Sequence, residues 1–529
     1  MWWLLPAALA VQTPDPIRLL APDSGRAISR ARAALEAFES DRHRKLPVRP
    51  AATGRCDERI GRFCYWYDEG DTSLPKEPEG VKTTRARLNA GLARAQTDHP
   101  TSNWLIGQRV RYLLEHQQSD SGLAVAARCG AASWWCGALA GLALHLAERF
   151  ASADSAFDVA LTAMPAGLRC AWTDWTVVLE SEAAAKNKSL DCDGRRRFAD
   201  SLFLLAKPLL SLPGNDVRTE LLSRRTMAAL HTFARSPHFI PWGKDMEELM
   251  LRYGWSTAWS VNDPSMISLA PSGVTGHQRS PAYQFFPARN ADQSWRWNLE
   301  PDRARFRYAP TYADRFLLVD NAQIARFPRG DSTIVVAGSI GPPDAIVALT
   351  AIGQSLNDVA TARTDSAAPV GGLLVRLAGK PTIASLESRR HRQVATARLV
   401  FDPEEPTGPL ILSDPLFFSV DDELPESLEG ATARALATTQ ISRETPVGIY
   451  WEATGQTHDS LDVAVSITPI RRGFPGRIGE GLLTLRWQAS GGAFELDLRR
   501  QKPGRYLLRL EARAGGTTAT SQRAFILIP

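Results

Sequence analysis

The sequence lacks the motifs by which a reaction is usually recognised. It has no Walker or dinucleotide-binding glycine pattern, and the segment from Gly338 to Gly341 is one residue short of the GxSxG motif of hydrolases. The nine histidines are scattered without an HExxH or HxxxH spacing, and no CxxC pair occurs. We therefore expect no metal site and no cofactor, and we favour a protein that is not an enzyme.

Long hydrophobic runs and concentrated charge are also missing. The longest apolar run near the start, MWWLLPAALAV, is too short to span a bilayer. It ends in Ala8-Leu9-Ala10, a small-x-small cleavage pattern, so we expect a signal peptide over residues 1–10, although a basic segment before it is missing. A formal charge of +5 over 529 residues gives no case for nucleic-acid binding. The expected partner is another protein or peptide.

Cysteine is scarce and confined to one region. The six cysteines form three sequence-local pairs, namely Cys56 with Cys64, Cys129 with Cys136, and Cys170 with Cys192. An even number in one region is typical of disulfides made in an oxidising compartment, whereas metal binding would favour CxxC pairs or nearby histidines. Six cysteines allow fifteen connectivities. We prefer the local one because Cys129 and Cys136 flank a predicted turn between helices. The expected localisation is secreted or periplasmic, including the cell envelope.

Hydrophobic periodicity divides the chain into a helical part and a strand-rich part. Apolar residues recur at helical spacing over much of residues 24–253, and an irregular, aromatic-rich segment follows over residues 254–304. From residue 305 to residue 529 the period is that of strands, as in the alternation of Leu461, Val463, Val465 and Ile467. The pattern predicts a multidomain α plus β protein with a carboxy-terminal antiparallel β-sandwich domain or domains.

A repeat of 34 residues organises part of the helical region. Gly107 and Gly141, Leu123 and Phe157, and Ala126 and Ala160 are each 34 residues apart. Ala153 is a further small residue at a predicted helix contact, and Pro165 ends the unit. This spacing resembles the tetratricopeptide repeat. The resemblance implies TPR-like helical hairpins that stack into a groove for another chain.

A second resemblance covers residues 213–260. The segments PGNDVRTELLSRRTMAAL and GKDMEELMLRYGWSTAWS resemble the core of GWxTD-type proteins, a group of exported bacterial proteins. Ala258 stands after Thr257, where the pattern has Asp. The resemblance brings no catalytic residues and implies export. The residues that carry it are Arg218, Glu220, Arg224, Arg252, Tyr253, Gly254 and Trp255.

Tryptophan, with fifteen copies, suggests a second function. Close pairs at Trp172 and Trp175 and at Trp295 and Trp297, together with Trp255, could stack on sugars. Asp174 lies between the first pair, and Glu300 and Asp302 follow the second. A glycan-cleaving protein would need two such carboxylates across one cleft. Packing in the core is the alternative explanation of each pair.

Two functions therefore remain open. The preferred one is an exported protein–protein interaction or scaffold module that binds a partner through a TPR-like helical groove. The alternative is a carbohydrate-binding or glycan-cleaving protein that uses the tryptophan and carboxylate clusters.

Overall fold

The computed structural model describes residues 16–50, 56–65, 73–263, 273–278, 283–287, 308, 312–313, 315–354, 356, 358–364, 371–401, 408–455, 461–470, 483–487, 491–514 and 516–529. These residues form two compact units. The helical unit contains the described residues of 16–207, 213–287 and Tyr308, and the β unit contains 208–212 and the described residues of 312–529. The expected order, helices before antiparallel strands, is confirmed. The expected signal peptide lies outside the described residues.

Twelve α-helices occur within the described residues, eleven of them in the helical unit. None of them is both long and apolar enough to cross a membrane. The helices are α1 (Arg26–Lys45), α2 (Glu79–Asp98), α3 (Asn103–Leu114), α4 (Ser119–Ala127), α5 (Ser133–Leu146), α6 (Phe150–Ala163), α7 (Ala166–Trp172), α8 (Ser181–Ser189), α9 (Cys192–Ala206), α10 (Asp216–His231), α11 (Lys244–Tyr253) and α12 (Leu428–Ala433).

The helices α5 and α6 pack against each other as the small residues of the sequence predict. A Cβ atom on Gly141 would lie 2.8 Å from the ring of Phe157, so only glycine fits there without displacing that ring. Ala153, Phe157 and Ala160 are fully buried in this contact. Pro165 follows the end of α6 and precedes α7. These small residues thus lie at the contact between the two helices of one hairpin.

The preceding helices α3 and α4 carry the equivalent residues in a looser arrangement. A Cβ atom on Gly107 would lie 2.9 Å from a methyl group of Leu230 and 3.0 Å from the ring of Trp135, which belong to α10 and α5. Ala126 is buried, and Leu123 is only partly buried. Gly141 therefore permits close contact with the other helix of its own hairpin, whereas Gly107 permits close contact with α5 and α10.

Three disulfides link the cysteines in the expected local pairs. Cys56–Cys64 closes a two-stranded hairpin, Cys129–Cys136 joins the end of α4 to α5, and Cys170–Cys192 joins α7 to α9. All three lie in the helical unit.

The strands of the described residues form several sheets, mostly antiparallel. Five strands belong to the helical unit, and the others belong to the β unit. The strands are β1 (Val48–Arg49), β2 (Glu58–Ile60), β3 (Phe63–Tyr65), β4 (Ala258–Asn262), β5 (Val274–His277), β6 (Arg315–Leu318), β7 (Ile324–Arg329), β8 (Ser332–Gly338), β9 (Ile346–Gly353), β10 (Val359–Arg363), β11 (Gly372–Ala378), β12 (Pro381–Arg390), β13 (Gln393–Val400), β14 (Leu410–Leu412), β15 (Leu416–Ser419), β16 (Gln440–Ser442), β17 (Val447–Gly455), β18 (Leu461–Pro469), β19 (Leu483–Trp487), β20 (Gly491–Leu496), β21 (Gly504–Ala514) and β22 (Thr517–Ile528).

The described residues of the β unit include three apolar cores. One of them contains Phe327, Phe418 and Leu428, which belong to β7, β15 and α12. The other two each lie between a pair of sheets. The sheets with strand orders β10-β9-β12-β13-β6 and β11-β8-β7 share one core, which includes Val335, Leu349 and Leu386. The sheets with orders β14-β17-β15 and β16-β22-β21-β18-β19 share the other, which includes Trp451 and Leu508. The inward residues of β18 alternate with more exposed ones, as predicted from the sequence.

Two sequence predictions about chain path need correction. Helix α9 ends at Ala206, whereas the apolar pattern predicts a helix to residue 210. The segment 208–212 instead belongs to the β unit, where Glu387 accepts hydrogen bonds from the backbone N–H groups of Leu210 (2.6 Å) and Ser211 (3.1 Å). The acidic and then Thr- and Ser-rich composition of residues 421–445 predicts a long loop or strand-to-strand crossover, whereas the structure has α12 and β16 there. Both errors arise because tertiary partners decide these short segments.

Candidate functional site: a cavity beside the Gly254–Trp255 turn

Arg224 joins α10 to the end of α11. Its Nε donates to Glu220 at 2.6 Å, and its Nη1 donates to the carbonyl oxygens of Leu251 (3.1 Å) and Arg252 (2.7 Å). These carbonyls belong to the last turn of α11, where intrahelical donors run out. Gly254 then turns the chain with φ +92°, a conformation that favours glycine. The arginine thereby fixes the direction in which the chain leaves the helix.

The same turn is held from the other side by the disulfide-closed hairpin. Glu58 of β2 accepts hydrogen bonds from Arg252 (3.2 Å) and from the hydroxyl of Tyr253. The ring of Tyr253 stacks on Tyr65 of β3, with 3.6 Å between ring centroids. The residues of the GWxTD resemblance therefore form one structural cluster, apart from Arg218, which pairs with aspartates of α6.

A cavity of about 320 Å³ opens beside this turn within the helical unit. Such a volume is at the lower end of the range for small-molecule sites. Gln117 and Thr257 are exposed, and the other lining residues are buried or partly buried. The lining combines aromatic, methionine and leucine side chains with a few polar ones: Phe63, Leu114, Glu115, Gln117, Ser119, Leu146, Met227, His231, Ser236, Pro237, His238, Trp242, Met246, Leu249, Met250, Gly254, Trp255, Ser256, Thr257 and Trp259.

Three polar side chains of the lining have an atom without a hydrogen-bond partner among the described residues. These atoms are Nδ1 of His231, Oγ of Ser236 and Nδ1 of His238. His231 is 6% exposed and Ser236 is 2% exposed. A buried polar atom that stays unpaired costs about 1–3 kcal/mol. These three atoms are enclosed by protein, so they lie in the wall behind the cavity surface.

Both cavity histidines are neutral at pH 7. Burial, together with the charge of Arg111, lowers the pKa of His231 well below its usual range. Burial lowers the pKa of His238 to about 4, although a hydrogen bond with the backbone of Val274 opposes this shift. The ring of His231 stacks on Trp242, with 4.8 Å between centroids. Both imidazoles in the cavity wall are therefore uncharged.

A buried ion cluster stands behind one wall of the cavity. Glu39 and Glu115 bind Arg42 and Arg111, with N–O distances from 2.5 to 3.4 Å. The hydroxyl of Tyr112 also donates to Glu39. Burial raises the pKa of Glu115, but Arg42 and Arg111 outweigh it and lower that pKa to about 2. The carboxylate that reaches the cavity is therefore ionised and already paired.

Trp172 and Trp175 do not form a sugar-binding surface. Trp172 is 5% exposed and Trp175 is 2% exposed, and their rings pack edge-on against Trp134 and Phe203. The carboxylate of Asp174 accepts hydrogen bonds from neighbouring side chains, namely Thr176, Asn187 and Arg195. Packing explains this pair. The residues Trp295, Trp297, Glu300 and Asp302 lie outside the described residues. Of the predicted binding residues that the structure describes, Trp255 lines the cavity.

The polar residues of the cavity lining were not predicted from the sequence. His231, Ser236 and His238 are separated by a few residues between α10 and α11, in the segment HTFARSPHF. The two histidines beside apolar residues were the available signal, but such histidines are usually core residues. Within the described parts of the chain, no group of three or more His, Cys, Asp or Glu side chains is arranged to hold a metal ion.

Comparisons with known proteins do not assign this chain to a family. No family model matches the sequence, and no curated protein matches it. Solved structures that resemble it include a biofilm-associated protein BSP domain (16% identity, TM-score 0.21, 39% of this chain and 29% of that chain). A second is titin A168–169, with 13% identity, a TM-score of 0.13, and coverage of 41% of this chain and 97% of that chain. A third is CBD12 from CALX1.2, with 9% identity, a TM-score of 0.10, and coverage of 38% of this chain and 80% of that chain. These similarities are too low to carry an argument about function.

Proposed function

We propose that the protein is an exported interaction module whose helical unit binds a partner polypeptide, with one apolar side chain of the partner anchored in the cavity beside Trp255. The cavity is the observation that carries this proposal. Its lining joins Trp242, Trp255 and Trp259 to three methionines. Aromatic and methionine side chains are enriched at interaction sites, where aromatic residues supply area and methionine adapts to the partner.

The surrounding structure supports a binding role. Consecutive helical hairpins, α3–α4 and α5–α6, lie in the unit that holds the cavity, and stacked hairpins of TPR type present grooves to other chains. The turn at Gly254 is held by Arg224 and by the Cys56–Cys64 hairpin, so the cavity wall is fixed before a partner arrives. Three disulfides favour an oxidising compartment, which is where an exported protein would fold.

The alternative function receives less support. A sugar-binding platform needs exposed aromatic faces, and both Trp172 and Trp175 are packed among other rings. We therefore propose the interaction module as the function.

A blocking variant at the mouth of the cavity tests the proposal. Random peptides would be selected on the full-length, disulfide-bonded protein, and a selected peptide would be titrated against three forms of it. Thr257→Trp places a large ring at an exposed lining position, and Thr83→Trp makes the same change at an exposed site on α2. We expect the peptide to bind the wild type and Thr83→Trp equally and Thr257→Trp about tenfold more weakly or worse. Equal binding to all three forms would refute the proposal.

A further inference from the structure

We infer that the helical unit holds a second site, a cavity lined by arginines, that binds an acidic segment of the partner polypeptide. This inference rests on the proposed function and specifies the charge of the partner. It depends on the size and opening of the cavity, on guanidinium groups of its lining that are available to a ligand, and on the links that fix those groups. We call it the arginine cavity after four residues of its lining: Arg169, Arg196, Arg197 and Arg218.

The arginine cavity has a volume of about 470 Å³, which is within the range of small-molecule sites. Its lining comes from α6, α7, α9 and α10 and from the residues that follow α7. The buried part of the lining is mainly apolar and includes Trp175, Phe203 and Leu222. The cavity is open to solvent through polar residues, because the exposed part of the lining consists of Asp158, Thr162, Arg196, Arg197 and Asp200.

Two arginines of the lining have no carboxylate partner within the described parts of the chain. Arg169 makes one long hydrogen bond, from Nη1 to the carbonyl oxygen of Leu161 at 3.5 Å, and Arg197 is exposed. A third arginine, Arg196, lies 3.7 Å from Asp193, and both side chains are more than half exposed, so this ion pair contributes little. A guanidinium group presents five donors in a planar fork that matches a carboxylate. These three groups can therefore bind carboxylates of another chain.

Positive charge predominates among the available groups of the lining. The fourth arginine, Arg218, is already bound by Asp154 and Asp158 of α6. Asp200 is the carboxylate of the lining that has no ion pair within the described parts of the chain. The available guanidinium groups therefore outnumber the available carboxylates, which favours an anionic ligand and disfavours a cationic one.

Two kinds of link fix the walls of the arginine cavity before a ligand arrives. The disulfide Cys170–Cys192 joins α7 to α9, directly after Arg169 and one helical turn before Arg196. The ion pairs of Arg218 join α10 to α6. Binding to walls that are already held in place loses less conformational entropy than binding to mobile ones. The arginines of α7 and α9 are therefore kept on the same cavity.

The size of the cavity favours a chain segment over a small free ion. Arg169 belongs to α7, whereas Arg196 and Arg197 belong to α9. Several carboxylates of one acidic segment can bind separate guanidinium groups, and their aliphatic stems can contact the apolar part of the lining. A single phosphate or sulfate ion would leave most of the volume to water. An acidic segment is therefore the occupant that matches both the charge and the volume.

Two peptides of the same shape and different charge test the inference without any mutation. Acetylated and amidated tetrapeptides of glutamate and of glutamine would be titrated calorimetrically into the full-length, disulfide-bonded protein. We expect the glutamate peptide to bind at least about tenfold more tightly, because its hydrogen bonds to guanidinium groups are charge-assisted. If the glutamine peptide binds as tightly as the glutamate peptide, or if neither binds, the inference is wrong.

A pair of double variants locates the binding. Arg169→Gln with Arg197→Gln removes two guanidinium groups from the cavity, and Arg87→Gln with Arg94→Gln removes two exposed ones from α2. Both double variants lower the net charge equally, so a general attraction to the protein would weaken equally in both. We expect the cavity variant to bind the glutamate peptide about tenfold more weakly or worse, and the α2 variant to bind it within about twofold of the wild type. Equal weakening would overturn the assignment of the site.

A single charge reversal tests the site without a change at a partly buried residue. Arg197→Glu alters an exposed side chain, so the melting temperature should match that of the wild type. The reversal should weaken the glutamate peptide by about tenfold, because it replaces an attraction by a repulsion. Unchanged binding of the glutamate peptide would contradict the inference even if the double variant fails to fold.

Inorganic phosphate distinguishes a chain segment from a free ion. In competition with the glutamate peptide, we expect phosphate to bind at least about tenfold more weakly, because it makes fewer contacts. If phosphate binds as tightly as the peptide, the cavity is a site for a free ion and the inference is wrong. Failure of the inference alone would leave the binding of selected peptides sensitive to Thr257→Trp. Failure of the proposed function would abolish that sensitivity, whatever the glutamate peptide does.

Discussion

The two units of this protein maintain their folds by different means. The helical unit contains all three disulfides and the buried cluster of Glu39, Arg42, Arg111 and Glu115. The β unit has no cysteine, and its cores are built from aliphatic and aromatic side chains on paired strands. Short helices bury only narrow apolar faces, so covalent and ionic links hold them together. In the β unit, continuous strand pairing takes the place of disulfides, and ion pairs such as Arg326–Asp414 (2.9 Å) are present as well.

This difference also explains where a site can form. An apolar core between sheets leaves little free volume and few unpaired polar atoms. The helical unit encloses a cavity of about 320 Å³ beside charged and polar groups. The binding function proposed for the helical unit therefore relies on a cavity and on buried polar groups, both of which lower the stability of the fold.

The largest expected effect comes from breaking the buried ion cluster. Glu39→Ala would leave Arg42 and Arg111 short of a partner in the interior, so we expect the helical unit to lose about 3–5 kcal/mol of unfolding free energy. Glu36→Ala, an exposed change on the same helix, is the control and should cost little. Urea unfolding followed by circular dichroism measures both. Similar losses in the two variants would show that the cluster contributes no more than a surface residue.

The next effect comes from overpacking the α5–α6 hairpin. Gly141→Leu would force side-chain atoms into the ring of Phe157, and we expect a loss of about 3 kcal/mol. Gly91→Leu is the matched control, because a Cβ atom at Gly91 of α2 meets nothing within 4 Å. Thermal unfolding of the two variants compares them. A wild-type melting temperature for Gly141→Leu would show that these helices are not in close contact.

A smaller effect should follow from removing one disulfide. The double variant Cys129→Ser, Cys136→Ser opens the link between α4 and α5, and closing such a short loop contributes about 2 kcal/mol. Calorimetry should show a lower transition temperature for the helical unit and an unchanged one for the β unit. Peptide mapping of the native protein under non-reducing conditions should recover no free thiol at Cys136. Reduced Cys136 in native material would contradict the pairing.

The smallest effect concerns pH. The pKa of His238 is about 4 in the folded protein, against about 6.5 in an unfolded chain. Between these values the unfolded state binds more protons, so stability falls as pH falls from 6.5 to 4. Asp216, whose pKa burial raises to about 6, opposes this trend below pH 6.

The variant His238→Phe removes the contribution of His238 and leaves that of His231, whose pKa is lowered in the same direction. Its transition temperature for the helical unit should fall less between pH 6.5 and pH 4.5 than that of the wild type. The β unit should change little over this interval, because its described carboxyls with shifted pKa values, Asp497 and Glu511, have lowered ones. An identical pH profile for the variant would show that His238 is not buried neutral.

Local patterns in the sequence predicted much of this fold. The helices α1, α2 and α10 and the alternating strand β18 follow from periodicity, because each needs only its own residues to define a buried face. The disulfides were predictable for the same reason, since each pair is close in sequence.

The cavity was not predictable in this way. Glu39 and Arg111 are 72 residues apart, and only tertiary packing brings them together. The close spacing of tryptophans in the sequence likewise could not distinguish Trp172, which is buried, from Trp255, which lines the cavity. A side chain's neighbours on other helices decide whether it is core or site, and periodicity does not contain that information.

The contact of Glu387 with residues 210–211 has a consequence for how the β unit can be divided. Leu210 and Ser211 are translated about a hundred residues before the first strand of the β unit, yet their N–H groups bind its buried carboxylate. A fragment that begins at residue 312 would therefore lack one piece of its own fold. A synthetic peptide of residues 208–212 added to that fragment should restore the missing hydrogen bonds, as in fragment complementation.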